Sequence, residues 1–488
     1  MRKLINFLRS YRLLLLVILL SVFSFVRMLK PGIFSTQDFH LFRLYEFDKC
    51  VKSMQIPCRW AADSGLGYGE PLFNFYGQIP YVLGEMYHLA GGTFIDSLKI
   101  LFILSLVGSG VSMYFLAKEI WKGSYGALIS SIINIYAPYR ALDVWVRGAL
   151  PEALSFVIFP LLILAIEKKK TLWFSFLLAL LVLTHNLSLV LFFPVILVWI
   201  IYRKFWKAVP ASILSLGISA FYILPVLFES KFIILNTVVE GYFNFRGHFA
   251  TLHQLLFSRF WGYGASAFGP EEFMSRALGQ VQWVLPLVIC GWWLVASIKK
   301  KKRIVLDTSF IILFLLGWFF LFLTHNKSTF IWETLKPMAY IQFPWRFLGP
   351  AVFCFSLSLG IIPNLFGKLK LLAASAVVVL AILLNFSFFK EDLWYKADDT
   401  YFFTGAEWDR QRIASIGDFW PKFGHIIPNK PSDGTYINYF PGWNKEPNKD
   451  GLILAEGSVF KNTLIRTVGN IISLVSLVVL IVLCKRKH

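Results

Sequence analysis

Acidic residues are scarce in this chain, with 28 Asp and Glu against 48 Lys and Arg. Metal-binding spacings are missing too: no CxxC and no HExxH occurs anywhere, so neither a zinc ribbon nor a zincin helix is written in the sequence. Five cysteines in 488 residues exclude a framework built from disulfides. Charged residues make up only 16%, against about a quarter in ordinary soluble domains. What replaces them is apolar, 57% hydrophobic and 17% aromatic residues with a mean hydropathy of +0.63. That composition predicts an integral membrane protein.

Apolar runs that cross or nearly cross ~30 Å of hydrocarbon fall at 11–26, 98–116, 125–138, 151–166, 172–183, 187–202, 209–227, 281–298, 310–323, 347–365, 371–388 and 471–483. They predict an all-α polytopic fold of about twelve transmembrane helices, three of them short. With the N-terminus and every second connection assigned inward, the inner segments hold Arg2, Lys3, Arg9, Arg12, Lys168 to Lys170 and Lys299 to Lys302, against only Glu119, Glu167 and Asp307. The outer segments nearly cancel. This positive-inside pattern predicts a multi-pass protein of the cell membrane with both termini cytoplasmic, and it accounts for the net charge of +20. No nucleic acid is expected as a partner, because the basic stripe of such a binder is absent. Arg27, Lys30 and Pro31 follow the first run where a small-residue cleavage site would stand, which predicts a retained anchor.

The polar sequence lies outside, in segments 27–97, 229–280, 324–346 and 390–467. Inward connections are short, so any chemistry belongs on the extracytoplasmic face. Segment 390–467 carries Trp394, Trp408, Trp420 and Trp443 with turn signals at Pro441-Gly442 and Asp450-Gly451, predicting a small, partly β extracytoplasmic domain near the C-terminus. The expected organisation is a transmembrane domain 1–389 with outer loops 27–97, 229–280 and 324–346, the domain 390–467, and a last helix with cytoplasmic tail 468–488. The four tryptophans suit packing of that domain's core or stacking on sugar rings. Cys50 and Cys58 are close enough to pair. Thr184-His185-Asn186 and Thr324-His325-Asn326 echo one another at the outer ends of two spans, too briefly to establish a repeat.

Moving a sugar off a lipid-phosphate carrier requires a base for the acceptor hydroxyl and cations for the departing phosphate. Four clusters offer such groups. The first is Asp38, His40 and Arg43. Ser35-Thr36-Gln37-Asp38 also matches a capping box with Asp38 in the first helical turn, and His40 would then lie ~200° around the axis from it. Cap and base both remain open for Asp38. The second cluster is Arg140, Asp143 and Arg147, sharing a helix face at i, i+3 and i+7, with Pro151-Glu152 opening the next span. It reads as an interfacial ion-pair stripe or as a phosphate clamp, two arginines and one aspartate leaving a positive charge to spare. Arg246, His248, His253 and Arg259 form the third, set among aromatics and expected to face solvent or lipid headgroups. The fourth is Gln342-Phe343-Pro344-Trp345-Arg346, where Arg346 either snorkels to the headgroups or meets the carrier phosphate. Span centres hold almost no charge, unlike those of ion-coupled transporters; a lipid flippase stays open.

Asp38-Phe39-His40-Leu41-Phe42-Arg43, Ile56-Pro57, Arg59-Trp60, Gly65-Leu66-Gly67-Tyr68-Gly69 and Pro71-Leu72-Phe73-Asn74-Phe75-Tyr76 resemble the first outer loop of bacterial YfhO-like membrane proteins and of the related family labelled pyruvoyl-tetrahydropterin-synthase-related. Pro138-Tyr139-Arg140 to Glu152, Thr184-His185-Asn186, the Arg346 motif and Tyr439-Phe440-Pro441-Gly442-Trp443 continue the match in order. These families are similar to GT-C glycosyltransferases. The resemblance implies a GT-C-like fold and transfer from a polyprenyl-phosphate sugar donor to a cell-envelope glycan or lipid-linked acceptor, within membrane lipid. It implies Asp38 as the catalytic base or a metal ligand. His40, Arg43, Arg140, Asp143, Arg147, Glu152, His185 and Arg346 are the expected substrate-binding set. Some GT-C enzymes have a second acidic residue beside the first, whereas Gln37 and Phe39 flank Asp38 here, and a divalent metal has no clear ligand motif. The alternatives are a transporter or flippase of lipid-linked sugars, or a non-catalytic factor in envelope-polymer assembly.

Overall fold

The structure, a computed structural model, describes residues 2–36, 39–234, 239–262, 264–299, 306–414, 419–424 and 430–486. It is mostly helical, and seven helical stretches are long and apolar enough to cross a membrane, from Tyr11–Leu29 near the N-terminus to Leu464–Lys485. An eighth arises if Ala208–Ile218 and Ala220–Phe232, bent by 76°, form one span. The chain is therefore a multi-pass membrane protein, but helix length does not reach the expected twelve. The apolar runs are helical over most of their length; several are short or joined. Ser124–Ile135, Thr171–Thr184 and Thr308–Thr324 fall below crossing length, a 12-residue helix covering only about 18 Å at 1.5 Å per residue. Runs 347–365 and 371–388 belong to one interrupted stretch, Pro344–Phe388.

The spine is Phe94–Trp121, packed against Leu150–Glu167, Ser124–Ile135 and the first helix, Arg2–Phe25. Thr93 caps it by accepting the Asp96 N–H at 3.0 Å. The Ser105, Ser109 and Ser112 hydroxyls turn back onto carbonyls three residues earlier, which keeps polar atoms satisfied away from water. At Gly110 any side chain would strike Ile135 and Val17, so the missing Cβ is what lets these helices approach.

The long connections meet at one end of the bundle. Ile33–Phe34 pairs antiparallel with Trp394–Tyr395, and isolated bridges join Ile233 to Pro421 and Ala250 to His325. The other ladder is Tyr436–Asn438 with Leu452–Leu454. Aromatic residues of 390–467 pack chiefly on the first loop: Tyr45 stacks on Phe403 at 4.2 Å, Phe42 lies 5.4 Å from Trp408, and buried Trp420 closes over Gly65. Trp394 donates to the Pro31 carbonyl at 2.9 Å, and Trp60 meets Trp443 at 5.3 Å. The tryptophans thus join two segments instead of filling one core. Cys50 and Cys58 form a disulfide.

Helix His40–Lys52 has Phe39 as its N-cap, without a side-chain cap bond. Ser35 instead gives its N–H to the Leu393 carbonyl at 2.9 Å. The expected capping box therefore does not start this helix at Ser35: the short strand Ile33–Phe34 engages the chain just before it.

Candidate active site

The segment 137–152 is a break between two spans, and its sequence explains its path. Ala137 is extended, as the residue before a proline prefers, and Pro138 opens the short helix Pro138–Ala141. The chain then widens into a π-helical turn, Leu142–Val146, a form found often at functional sites. Gly148 turns with φ +64°, and a side chain there would collide with Thr36 of the first loop. Leu150–Glu167 follows, with Pro151 in its first turn. Arg140, Asp143, Arg147 and Glu152 all end up buried.

They form one charge network. Arg147 reaches Asp143 at 2.5 Å and Glu152 at 3.1 Å. Tyr139 donates its hydroxyl to the other Glu152 oxygen. Arg140 sits 3.8 Å from Asp143, donates to the Ser105 carbonyl at 3.3 Å and the Ser109 hydroxyl at 3.4 Å, and lies 4.0 Å from the Phe156 ring. The spare positive charge expected from two arginines and one aspartate is not present in this group. Glu152, brought back by the turn at Gly148, supplies a second carboxylate. Nor is it an exposed stripe, since Arg140 and Asp143 have no accessible surface. Charges so far from water persist only with close partners.

Further groups gather on its border. His185 ends Thr171–Thr184 and shares a 2.7 Å hydrogen bond with Ser188, which meets Ser155 at 2.9 Å. His185 and Arg346 both act on the Glu152 carboxylate electrostatically. Half-buried Arg346 donates to the Ile341 carbonyl at 2.9 Å and to Gln342 at 3.2 Å, and the adjacent Trp345 ring lies 4.6 Å from the Arg147 guanidinium.

The first loop docks on this turn through His40. The Leu150 N–H donates to Nε2 of His40 at 3.2 Å, which assigns the proton to Nδ1, 2.8 Å from the Tyr81 hydroxyl. Arg43 donates to the Tyr76 hydroxyl at 3.2 Å and lies over that ring at 4.5 Å. Asp38 lies outside the described residues. The structure thus brings His40, Arg140, Asp143, Arg147, Glu152, His185 and Arg346 into one neighbourhood, with Arg43 one helical turn from His40. The third cluster is dispersed: Arg246 pairs with Glu333 at 2.8 Å, buried His248 bonds Ser266 at 2.6 Å, and Arg259 donates to the Leu384 carbonyl at 2.7 Å. Among the described residues, no group of three or more His, Cys, Asp or Glu is placed to hold a metal ion.

A second buried network was not expected. Glu229 accepts from Arg466 at 2.9 Å, from Asn74 at 2.6 Å and from Thr463 at 2.6 Å. Arg59 donates to Asn74 at 3.2 Å and to Asn470 at 3.1 Å. Burial beside Arg466 pulls Arg59 down to about 10, still cationic at neutral pH. The available signal was positional: Glu229 and Arg466 are charges at the ends of apolar runs, and such groups need a partner.

No family model matches the chain, and no curated protein matches it. Among solved structures it is similar to the arabinofuranosyltransferase AftD from mycobacteria, with a TM-score of 0.49 and 15% identity, covering 82% of this chain and 28% of that one. A mutant of the same enzyme gives a TM-score of 0.40 and 13% identity, covering 80% of this chain and 29% of that one. The chain spans less than a third of the length of these structures.

Proposed function

We propose that this chain is a GT-C-type membrane glycosyltransferase that moves a sugar from a polyprenyl-phosphate donor to a cell-envelope acceptor, working at the face where the long connections meet. The observation carrying this reading is the bond from Leu150 to His40, which joins the first loop to the arginine-bearing turn. Thr36, against Gly148, and His40 both meet this turn and flank Asp38 in the sequence, which supports Asp38 as the proposed base. The outward placement of this face draws support from the Cys50–Cys58 disulfide, a bond of oxidising compartments, and from the basic residues of the opposite connections. The shorter helices complete a count of about twelve crossings if each spans a thinned or shared part of the bilayer.

In this mechanism the Asp38 carboxylate takes the acceptor hydroxyl proton as that oxygen attacks the anomeric carbon. The bond from carbon to phosphate oxygen breaks, and the polyprenyl phosphate leaves with the electron pair, giving inversion. Arg346, Arg43 and His185 border the donor phosphate. Arg140, enclosed on all sides, is a positioning residue that anchors the turn to the Phe94–Trp121 spine, and Arg147 holds the carboxylates that shape it.

The test is incubation of purified protein in vesicles with a labelled polyprenyl-phosphate sugar and an envelope extract. Loss of sugar from the lipid is expected, with Asp38→Asn lowering it by about 10²–10⁴-fold, the usual range for a general base, at unchanged expression. Full activity in that variant sinks the mechanism. Movement of intact donor between leaflets identifies a flippase, and neither outcome points to an assembly factor.

A further inference from the structure

At the end of the bundle away from the long connections, a cavity of about 670 Å³ opens between the first helix, the Phe94–Trp121 spine, helix Ser124–Ile135 and the Pro344–Phe388 stretch. Its chemistry is that of an anion site. Arg12, Lys122 and Lys370 line it; Lys122 is shared with Glu119 at 2.6 Å, while Arg12 and Lys370 show no ion pair among the described residues. Helix Ser124–Ile135 begins here, and its N-cap, Gly123, offers no side chain to its first N–H groups, leaving donors and the positive end of the helix dipole on the cavity. Independently of that helix end, Tyr114 has no accessible surface, lines the same cavity, and carries a hydroxyl without a hydrogen-bond partner among the described residues. A buried hydroxyl left unsatisfied costs about 1–3 kcal/mol, and a ligand oxygen is what would satisfy it.

Neighbouring side chains indicate the source of that oxygen. Phe366, Leu369 and Leu371, on the stretch carrying Lys370, are 52%, 58% and 58% exposed. Cations above outward-facing apolar side chains match a lipid, phosphate in the pocket and acyl chains along the helices. We propose that this cavity binds the phosphate of an anionic phospholipid headgroup, with Arg12, Lys370 and the Ser124 end of the helix holding the phosphate and Tyr114 donating to it. The site is independent of the proposed sugar transfer.

Delipidated full-length protein, titrated with phosphatidylglycerol, phosphatidylcholine or inorganic phosphate and read by native mass spectrometry and thermal midpoint, tests this. Phosphatidylglycerol is expected to remain bound and to raise the midpoint well above phosphatidylcholine. Tyr114→Phe, which keeps the ring, should weaken phosphatidylglycerol by about tenfold, as expected for one hydrogen bond to a charged group, and Arg12→Gln with Lys370→Gln by more. Equal binding of both lipids, or phosphatidylglycerol affinity unchanged in all these variants, overturns the site. Inorganic phosphate protecting as strongly as the lipid overturns the lipid as its occupant.

Discussion

The two buried charge networks at the loop-bearing end are built on opposite plans. Arg140, Asp143, Arg147 and Glu152 balance, two cations against two carboxylates, and all come from one short stretch of chain. Arg59, Glu229 and Arg466 come from three distant segments and carry one carboxylate between two guanidiniums. The terminal guanidinium nitrogens of Arg59 and Arg466 donate to amide and carbonyl oxygens of Asn74, Asn470, Pro441 and Lys461. The first network shapes a turn. The second ties the first loop to the ends of two spans, and because its single carboxylate is shared it has no reserve.

That asymmetry predicts the largest effect. Glu229→Gln removes the only carboxylate and leaves Arg59 and Arg466 buried together, at about 3–5 kcal/mol. In detergent, the thermal midpoint should collapse or folded protein should fail to accumulate. Asp143→Asn leaves Glu152 on Arg147, and Arg140, 3.8 Å from Asp143, keeps its bonds to the Ser105 carbonyl and Ser109 hydroxyl; the loss should be roughly half as large, near the value of one hydrogen bond to a charged group, about 1.5–3 kcal/mol. Pairing Glu229→Gln with Arg466→Gln should restore part of the loss, since a charge stranded without its partner is worse than an absent pair. Equal penalties for Glu229→Gln and Asp143→Asn, with no rescue in the double variant, would remove the distinction between shared and balanced networks.

The same contrast decides what was legible in the sequence. Arg140, Asp143 and Arg147 sit at helical spacing, so their convergence could be read locally, and Pro151-Glu152 marked where the next helix starts. What spacing alone did not give was the return of Glu152 to Arg147, which depends on the π-turn and the left-handed Gly148. The Arg59 network left only the hint of charges at span ends, because the contacts that join its three segments bridge 155 to 411 positions of sequence. Apolar runs located the helices well. Helix length alone carries seven or eight crossings of the expected twelve, since an apolar run records burial among other helices as readily as burial in lipid.

Gly148 offers an intermediate effect on the balanced side. Gly148→Ala puts a methyl group against Thr36 at a left-handed φ of +64°, a strain of about 1–3 kcal/mol. Because the collision falls on the segment that flanks Asp38 in sequence, transfer should drop by more than stability alone explains, with a raised KM for donor. A stability loss with kcat and KM unchanged would show that the first loop can shift without consequence.

The smallest effect concerns an acid outside both networks. Glu85 is 3% exposed and its carboxyl lies beside that of Asp48. Burial, reinforced by nearby Asp48, raises it to about 7; His88 and Lys52 pull the other way but are engaged with Asp48, at 3.9 Å and 2.8 Å. A carboxyl raised in the folded state binds more protons there than in the unfolded chain. Stability should therefore be highest below about pH 4.5 as far as this group is concerned, fall as pH rises to about 7, and level off beyond. The paired networks predict no such fall near neutrality, so the slope points to a raised acid outside them. Glu85→Gln, neutral at every pH, should flatten the thermal midpoint between pH 5 and 7 and raise it at pH 8. A slope that survives the substitution would assign the titration elsewhere, with Glu46, also raised by burial and by Asp63, the next group to remove.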